Sequence, residues 1–210
     1  SDPSADHPGA APDEHGLVRG DDGLLRPEWA AAGPLLQQYY DTEWGMPIRD
    51  EQGLFERLSL EAFQSGLAWI TILRKRDAFR EEFDGFDPER VARWNDARID
   101  RALQNPGIIR HRGKIESAVK GARLFQEIES QQGFSSFLWD FVGGQPIQNN
   151  FASGAQVPAA TPESTAMSKA LKKRGFNFCG PVITYAFMQA TGMVMDHTTD
   201  CDRYAQLKGS

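Results

Sequence analysis

The fold is decided by a turn between two helices that reads LKKRGFNFCGP, residues 171–181. Gly175 follows a lysine-rich helix end and supplies the positive φ that a helix C-terminus favours. Gly180 lets the backbone approach a neighbour closely, and the proline after it fits the first turn of the next helix. Free N–H groups at that helix start, beside Lys172 and Lys173, would form an anion site suited to one DNA phosphate. Many helical hairpins with two glycines bind nothing, so this turn alone does not establish DNA binding.

The chain on either side of this turn is helical in pattern. Apolar residues recur three, four and seven positions apart around Leu54 and again around Ile115, and strand-type alternation is nearly absent. Turn signals divide the pattern into about eight short helices. We therefore predict an all-α fold, a two-lobed helical bundle, in which residues 26–210 form a single domain with the hairpin near 169–191.

Residues 1–25 differ from the rest of the chain. They are rich in Asp, Pro, Gly and Ala and nearly free of large apolar side chains, which predicts a disordered tail. Six acidic residues and one basic residue in this segment account for −5 of the net charge of −6. The remainder is almost neutral and carries basic clusters at 74–76, 110–114 and 169–174. Solvated helix faces would explain any one cluster, but locally positive surfaces keep a nucleic-acid partner open.

Composition and motifs exclude several classes of protein. The 210 residues are 40% hydrophobic, enough for one globular domain or two lobes that share a core. No apolar run is long enough to span a membrane, no signal pattern is present, and two cysteines do not make a disulfide framework. We expect a cytoplasmic protein without membrane association. Phosphate-cradling glycine loops, serine nucleophile elbows and His-Glu-x-x-His pairs are absent.

Glu61 is the first candidate for chemistry. It follows Leu54 by seven positions and Leu58 by three, so it lies on the apolar stripe of its helix. A carboxylate there needs an arginine, backbone donors, a shifted pKa or a ligand with donors of its own, and a structural ion pair stays open. A nucleobase is a planar ligand that suits a carboxylate among aromatic rings, although most aromatic residues are simply core. The aromatic residues that gather around Glu61 in sequence are Trp29, Tyr39, Tyr40, Trp44, Phe63 and Trp69.

A second candidate is the pair His197 and Cys201. The i, i+4 spacing places both on one face of a helix, where they could hold a metal. A structural zinc site needs four ligands, and no further Cys or His pair follows residue 25. We therefore predict no bound metal and no cofactor.

The motifs resemble those of the type I DNA-3-methyladenine glycosylases, which belong to the helix-hairpin-helix DNA glycosylase superfamily. The segments that carry the resemblance are 39–44, LEAFQSGLAWIT at 60–71, GIIRHRGKI at 107–115 and the run 168–180. They occur in order at the expected separations, and the resemblance covers roughly residues 26–204. It implies a DNA repair hydrolase that excises N3-methyladenine from alkylated double-stranded DNA.

The resemblance also implies roles for residues of this chain. Glu61 would accept hydrogen bonds from a base flipped out of the duplex. Trp29 and Trp69 would stack on that base, and Tyr39 and Trp44 would shape the pocket. The reaction would cleave the N-glycosidic bond with water as nucleophile, release free 3-methyladenine and leave the DNA strand uncut. We expect a monomer. The residues expected to contact DNA are Gly66 and Leu67 near the wedge, and Lys172, Lys173, Gly175 and Gly180 in the hairpin.

Some positions depart from the family's pattern. The family commonly closes its termini with a zinc ion, and His197 and Cys201 match two of its four ligands. Pro27 and Tyr40 stand at the positions of the other two, and neither can replace a thiolate or an imidazole.

Two further departures and one open role concern the pocket. Ala62 replaces a usual glycine, and Ala186 replaces a pocket hydroxyl. An added methyl group beside the pocket would narrow it. Either Glu61 or Asp196 would assist the attack of water, and the sequence does not choose between them.

Two alternatives to the enzyme remain at this stage. The first is a non-catalytic DNA-binding or damage-sensing module that kept the hairpin but lost turnover. The second is a helical pocket for a small molecule unrelated to DNA, and the basic hairpin argues against it.

Overall fold

The computed structural model describes residues 11–208, and that part of the chain is mainly helical. It contains ten α-helices, where the sequence predicts about eight, and the all-α class is confirmed. The α-helices are α1 Pro34–Thr42, α2 Glu51–Gln64, α3 Trp69–Glu82, α4 Pro88–Ala92, α5 Asp96–Ala102, α6 Arg112–Gln131, α7 Phe134–Trp139, α8 Pro162–Arg174, α9 Pro181–Ala190 and α10 Asp202–Leu207. Short 3₁₀ helices span Glu28–Ala31, Asp84–Phe86, Asp140–Val142 and Gly154–Gln156. Within 11–208 no helix has both the length and the apolar character to cross a membrane.

Two small sheets accompany the helices. Strand β1, Leu17–Arg19, pairs antiparallel with β2, Leu25–Pro27. Strand β3, Ile147–Gln148, pairs in parallel with β4, Val194–Met195. The second sheet fixes the chain just before Asp196, which lines the cavity described below.

The structure corrects the prediction of a disordered tail over residues 1–25. The last part of that segment forms the hairpin of β1 and β2, and Leu17 is buried. The backbone N–H of Leu25 donates to the carboxylate of Asp202 at 3.0 Å. Local composition misled the prediction because the hairpin is stabilised by partners far away in sequence. The predicted disorder of residues 1–10 lies outside the described residues.

Helix α2 lies at the centre of the fold and packs against α3, α6, α7 and α9. The carboxylate of Asp50 caps its N-terminus by accepting a hydrogen bond from the N–H of Gly53. The ring centroid of Phe83 lies 4.8 Å from that of Trp94 and 5.5 Å from that of Phe86. These rings belong to a cluster that we call the aromatic core: Phe63, Phe79, Phe83, Phe86 and Trp94.

Helices α8 and α9 pack against each other and form the predicted hairpin. Gly175 adopts φ +112° after α8, and its N–H donates to the carbonyls at the helix end, as the turn prediction requires. Gly180 precedes α9 at an ordinary φ of −63°. The carbonyl of Cys179 accepts hydrogen bonds from Ser168 Oγ at 2.7 Å and Thr184 Oγ1 at 3.0 Å, which ties the turn to both helices.

Candidate functional site

A cavity of about 420 Å³ opens between α1, α2, the start of α3 and α9. Because α1 and the start of α3 meet beside α2, residues distant in sequence face the same space. The cavity is lined by all five side chains predicted to contact a base: Glu61, Trp29, Tyr39, Trp44 and Trp69. The structure therefore brings these residues together.

The aromatic residues form a continuous wall. Trp29 is 38% exposed and lies at the mouth, with its ring centroid 5.4 Å from that of Trp44 in an edge-on arrangement. Tyr39, from α1, is buried, and its centroid is 5.8 Å from that of Trp69, the first residue of α3. These rings present both faces and edges to a planar ligand.

Glu61 has one protein partner in the cavity wall. Its Oε1 accepts a hydrogen bond from Nε of Arg57, one helical turn earlier on α2, at 3.2 Å. Both residues are buried. Burial raises the pKa of Glu61 and lowers the pKa of Arg57, and each shift is opposed by the opposite charge of the partner. The sequence leaves an ion pair open for Glu61 but does not single out Arg57 as the partner. The i, i+4 spacing of these two residues is nevertheless typical of an ion pair along a helix.

Several polar atoms in the wall are buried without a hydrogen-bond partner among residues 11–208. They include the hydroxyl of Tyr39, Nε1 of Trp69 and both ring nitrogens of His197. A buried polar group without a partner costs roughly 1–3 kcal/mol, so a well-packed core rarely keeps such groups. Their presence in one cavity indicates a site for a ligand with donors and acceptors.

Asp196 also lines the cavity, but its carboxylate is already surrounded by donors. It accepts hydrogen bonds from Asn149 Nδ2 at 2.7 Å, from Gln189 Nε2 at 3.0 Å and from the hydroxyl of Tyr185. Burial, and secondarily the hydrogen bond to Asp196, raises the pKa of Tyr185. Within residues 11–208, Asp196 thus has three protein donors, whereas Glu61 has one. The sequence does not reveal these partners, because Asn149 follows β3 while Tyr185 and Gln189 both lie on α9, and only the tertiary fold brings the two segments to Asp196.

The residues near the chain ends do not fit the zinc site that the resemblance implies. His197 packs its ring 5.2 Å from that of Tyr40 and 4.6 Å from that of Trp44, and Cys201 contacts the hydroxyl of Thr198. The part of the chain from 11 to 208 contains no group of three His, Cys, Asp or Glu residues arranged for a metal. Burial lowers the pKa of His197 to about 3, so this imidazole is neutral at pH 7.

An ion-pair cluster around Arg26 connects the N-terminal hairpin to α1. Arg26 is 3% exposed and donates to the carboxylates of Asp22 and Asp41 at 2.6–3.0 Å. The hydrogen bonds that Arg26 donates to Asp22 lower the pKa of this carboxyl group to about 2. Arg26 thus holds the N-terminal hairpin against α1 through Asp41.

The residues predicted to contact DNA lie on two neighbouring segments. Gly66, at φ +80°, and Leu67 form the turn between α2 and α3. Lys114, on α6, donates to the carbonyls of Phe63 and Ser65 at 2.9 and 2.6 Å and so fixes the end of α2 before this turn.

The hairpin lies close to the end of α2. A narrow crevice is lined by residues of α2, of α6 and of the α8–α9 turn, and Ala62 and Asn177 are among them. Lys172 and Lys173 are exposed on α8. Ala62 therefore faces this crevice, whereas Ala186 lines the main cavity. The expected narrowing of the pocket by Ala62 is not what the structure shows.

Comparison with known proteins identifies close relatives. The family model described as methyladenine glycosylase matches residues 29–204. The chain is 47% identical over 174 residues to DNA-3-methyladenine glycosylase of Haemophilus influenzae, an alignment of 82% of this chain and 94% of the relative. It is 45% identical over 177 residues to DNA-3-methyladenine glycosylase 1 of Escherichia coli, covering 84% of this chain and 95% of that protein.

Solved structures of similar proteins share the fold. A crystal structure of 3-methyladenine DNA glycosylase I matches with a TM-score of 0.81 at 48% identity, covering 83% of this chain and 97% of that chain. A structure of the Staphylococcus aureus enzyme, described as the structural basis of 3-methyladenine recognition, matches with a TM-score of 0.81 at 38% identity. That match covers 83% of this chain and 95% of the other.

Proposed function

This chain belongs to the methyladenine glycosylase family, and from that premise we propose how its pocket acts on damaged DNA. The protein is a DNA repair hydrolase that excises N3-methyladenine from alkylated DNA. One observation carries the assignment of this activity to the cavity. The buried carboxylate of Glu61 is enclosed by four aromatic side chains, beside polar atoms that lack protein partners.

The pocket favours a methylated base through charge and stacking. N3-methylation makes adenine cationic while it is attached to DNA, so the glycosidic bond is already weak and the base leaves without strong acid catalysis. Glu61 accepts hydrogen bonds from the flipped base, and Trp29 and Trp69 stack on it. Tyr39 and Trp44 shape the pocket. These preformed groups stabilise the positive charge of the base and of the transition state.

Water is the nucleophile, and the free base leaves without cleavage of the DNA strand. The difference between the two carboxylates supports Glu61, rather than Asp196, as the group that acts on the reacting base. Three protein donors from residues 11–208 engage Asp196, so we assign it the positioning of Gln189, which lines the cavity, with Tyr185 as a further donor behind the wall. Lys114 is buried, but its ammonium group donates to two backbone carbonyls, so we assign it no Schiff-base role.

The hairpin and the turn after α2 form the proposed DNA-binding face. The N–H groups at the start of α9, after Gly180, would bind one phosphate, and Lys172 and Lys173 would add positive charge beside it. Gly66 and Leu67 would enter the gap left by the flipped base. Their attachment to the helix that carries Glu61 supports this arrangement. The monomeric state, the absence of a cofactor and the cytoplasmic location stay predictions.

The test is base release from methylated duplex DNA under single-turnover conditions, with the freed bases identified by chromatography. We expect Glu61→Gln to slow release of 3-methyladenine by about 100-fold, because it removes the negative charge that stabilises the departing base. The matched control is Glu56→Gln, the same change on the same helix, in a residue paired with Arg80 outside the cavity.

Release by the parent protein and by Glu56→Gln, but not by Glu61→Gln, would support the proposal. Full activity of Glu61→Gln would contradict the role of this carboxylate. Binding of methylated DNA by the folded parent without base release would instead favour the non-catalytic, damage-sensing module.

A further inference from the structure

The proposed function does not explain why Arg57 lies in the base pocket. It lies on α2, is 8% exposed and lines the base pocket rather than the protein surface. Its guanidinium carbon is 4.4 Å from the ring centroid of Trp69 and 5.0 Å from that of Tyr39. Its Nε donates to Glu61. The guanidinium therefore engages three groups that the proposed function gives to the base.

The guanidinium resembles the substrate base in its chemistry. Both are planar cations that can stack on an aromatic face and donate hydrogen bonds to a carboxylate. Two planar cations cannot occupy the same hydrogen-bonding and stacking positions at once. A base that reaches Glu61 must therefore displace Arg57 or push it aside.

The contact between Arg57 and Glu61 is suited to exchange. It is a single hydrogen bond of 3.2 Å, and no other hydrogen bond of Arg57 is present within residues 11–208. Two other arginines of the same region make two-point contacts: Arg80 with Glu56 at 2.9 and 3.2 Å, and Arg76 with Glu43 at 2.8 and 2.9 Å. Paired N–H donors hold a carboxylate more firmly than one. Of these three arginines, Arg57 is held least firmly by its carboxylate partner.

We propose that Arg57 is a product-release residue that exchanges with the base for Glu61. In the substrate, the base carries a positive charge. It therefore replaces the guanidinium of Arg57 at the carboxylate of Glu61, and the carboxylate keeps a cationic partner. When the bond between the sugar C1′ and N9 breaks, its electron pair stays on N9 and the base becomes neutral. Arg57 keeps its charge, so it re-forms the hydrogen bond to Glu61 and displaces the neutral product. This inference rests on the proposed function of the pocket.

The first test measures binding of free 3-methyladenine at about pH 8, where the free base is neutral. We expect Arg57→Met to bind it at least about tenfold more tightly than the parent, since a charge-assisted hydrogen bond no longer competes. Steady-state turnover of this variant should be strongly inhibited by added 3-methyladenine, without an equal loss in the single-turnover rate. Arg80→Met is the matched control and should bind 3-methyladenine as the parent does.

Equal or weaker binding by Arg57→Met would overturn the proposal. If the parent releases 3-methyladenine but Arg57→Met binds it no more tightly, this inference fails and the proposed function stands. If the parent releases no base, the proposed function fails, and the product-release role of Arg57 fails with it, even where Arg57→Met gains affinity for 3-methyladenine. If the parent shows no release and neither protein binds the base, both fail.

A second measurement uses the unaltered protein, because loss of Arg57 removes the hydrogen-bond partner of the buried Glu61 and destabilises the fold. The Nε–H signal of Arg57 in nuclear magnetic resonance spectra reports both the Glu61 hydrogen bond and the nearby rings. We expect saturating 3-methyladenine to move this signal toward the position of a free arginine while the signal of Arg80 stays in place. An unmoved Arg57 signal in the base-saturated protein would overturn the exchange.

Discussion

Two aromatic clusters border helix α2, and they differ in how they treat polar groups. The aromatic core consists of buried rings whose one polar atom, the indole N–H of Trp94, points to Asp84 at 3.4 Å. The ring of Trp94 also contacts the guanidinium of Arg98, whose carbon lies 3.8 Å from the ring centroid. The base pocket contains the Arg57–Glu61 ion pair, and polar atoms of Tyr39 and other residues that have no hydrogen-bond partner in the described part of the chain. The aromatic core stabilises the fold, whereas the base pocket contains polar groups that are available to a ligand.

This difference has an energetic consequence. Each unpartnered polar atom in the pocket lowers the stability of the ligand-free protein, whereas each ring in the aromatic core adds to it. Substitutions in the core should therefore reduce stability and leave chemistry intact. Substitutions that remove an unpartnered polar atom from the pocket should reduce chemistry and leave stability intact or improved.

The largest expected effect concerns His197 and pH. Because burial lowers its pKa to about 3 from 6.5, the folded protein holds it neutral, while the unfolded chain binds a proton below pH 6.5. Its contribution to stability is complete above pH 6.5 and is lost as the pH falls toward 3, by about 5 kcal/mol in total. Denaturant unfolding of the parent and of His197→Gln across this range should show a smaller loss for the variant. Equal losses would contradict the neutral buried imidazole.

A core substitution should produce the next largest effect. Phe83→Ala should lower the free energy of unfolding by about 4 kcal/mol, because it removes a ring packed against Trp94 and Phe86 and leaves a cavity. Base release per folded molecule should stay within about twofold of the parent. Phe83→Leu, which keeps part of the packing, should lose less stability. A large loss of activity in a fully folded Phe83→Ala protein would break the division between the two clusters.

The smallest expected effect comes from removing one indole N–H. Trp69→Phe keeps an aromatic ring in the pocket but removes an N–H that has no protein partner, so stability should stay within about 1 kcal/mol of the parent. Base release should fall by about tenfold, the effect of one lost hydrogen bond. Trp139→Phe is the matched control, since its N–H donates to the carbonyl of Ile48 at 2.9 Å. That variant should lose stability and keep its release rate, and the reverse pattern would contradict the comparison.

The sequence predicted those features that depend on local spacing. The turn at Gly175 and the position of Glu61 on an apolar stripe were both readable, because helix ends and helix faces follow short-range rules. The ordered hairpin at Leu17 was not, since its few apolar residues are buried only against distant partners. Arg57 was missed because arginines spaced i, i+4 from glutamate usually lie on exposed helix faces. The donors around Asp196 come from separate segments that only the tertiary fold brings together.

The central claim is that the polar atoms of the pocket that lack partners within residues 11–208 form hydrogen bonds with the base. The most direct test follows the tryptophan indole N–H signals by nuclear magnetic resonance while 3-methyladenine is added to the parent protein. The account predicts a large shift for Trp69 and also shifts for Trp29 and Trp44, while Trp94 and Trp139 remain unmoved. Binding of 3-methyladenine with an unmoved Trp69 signal, or with equal shifts in both sets, would contradict it.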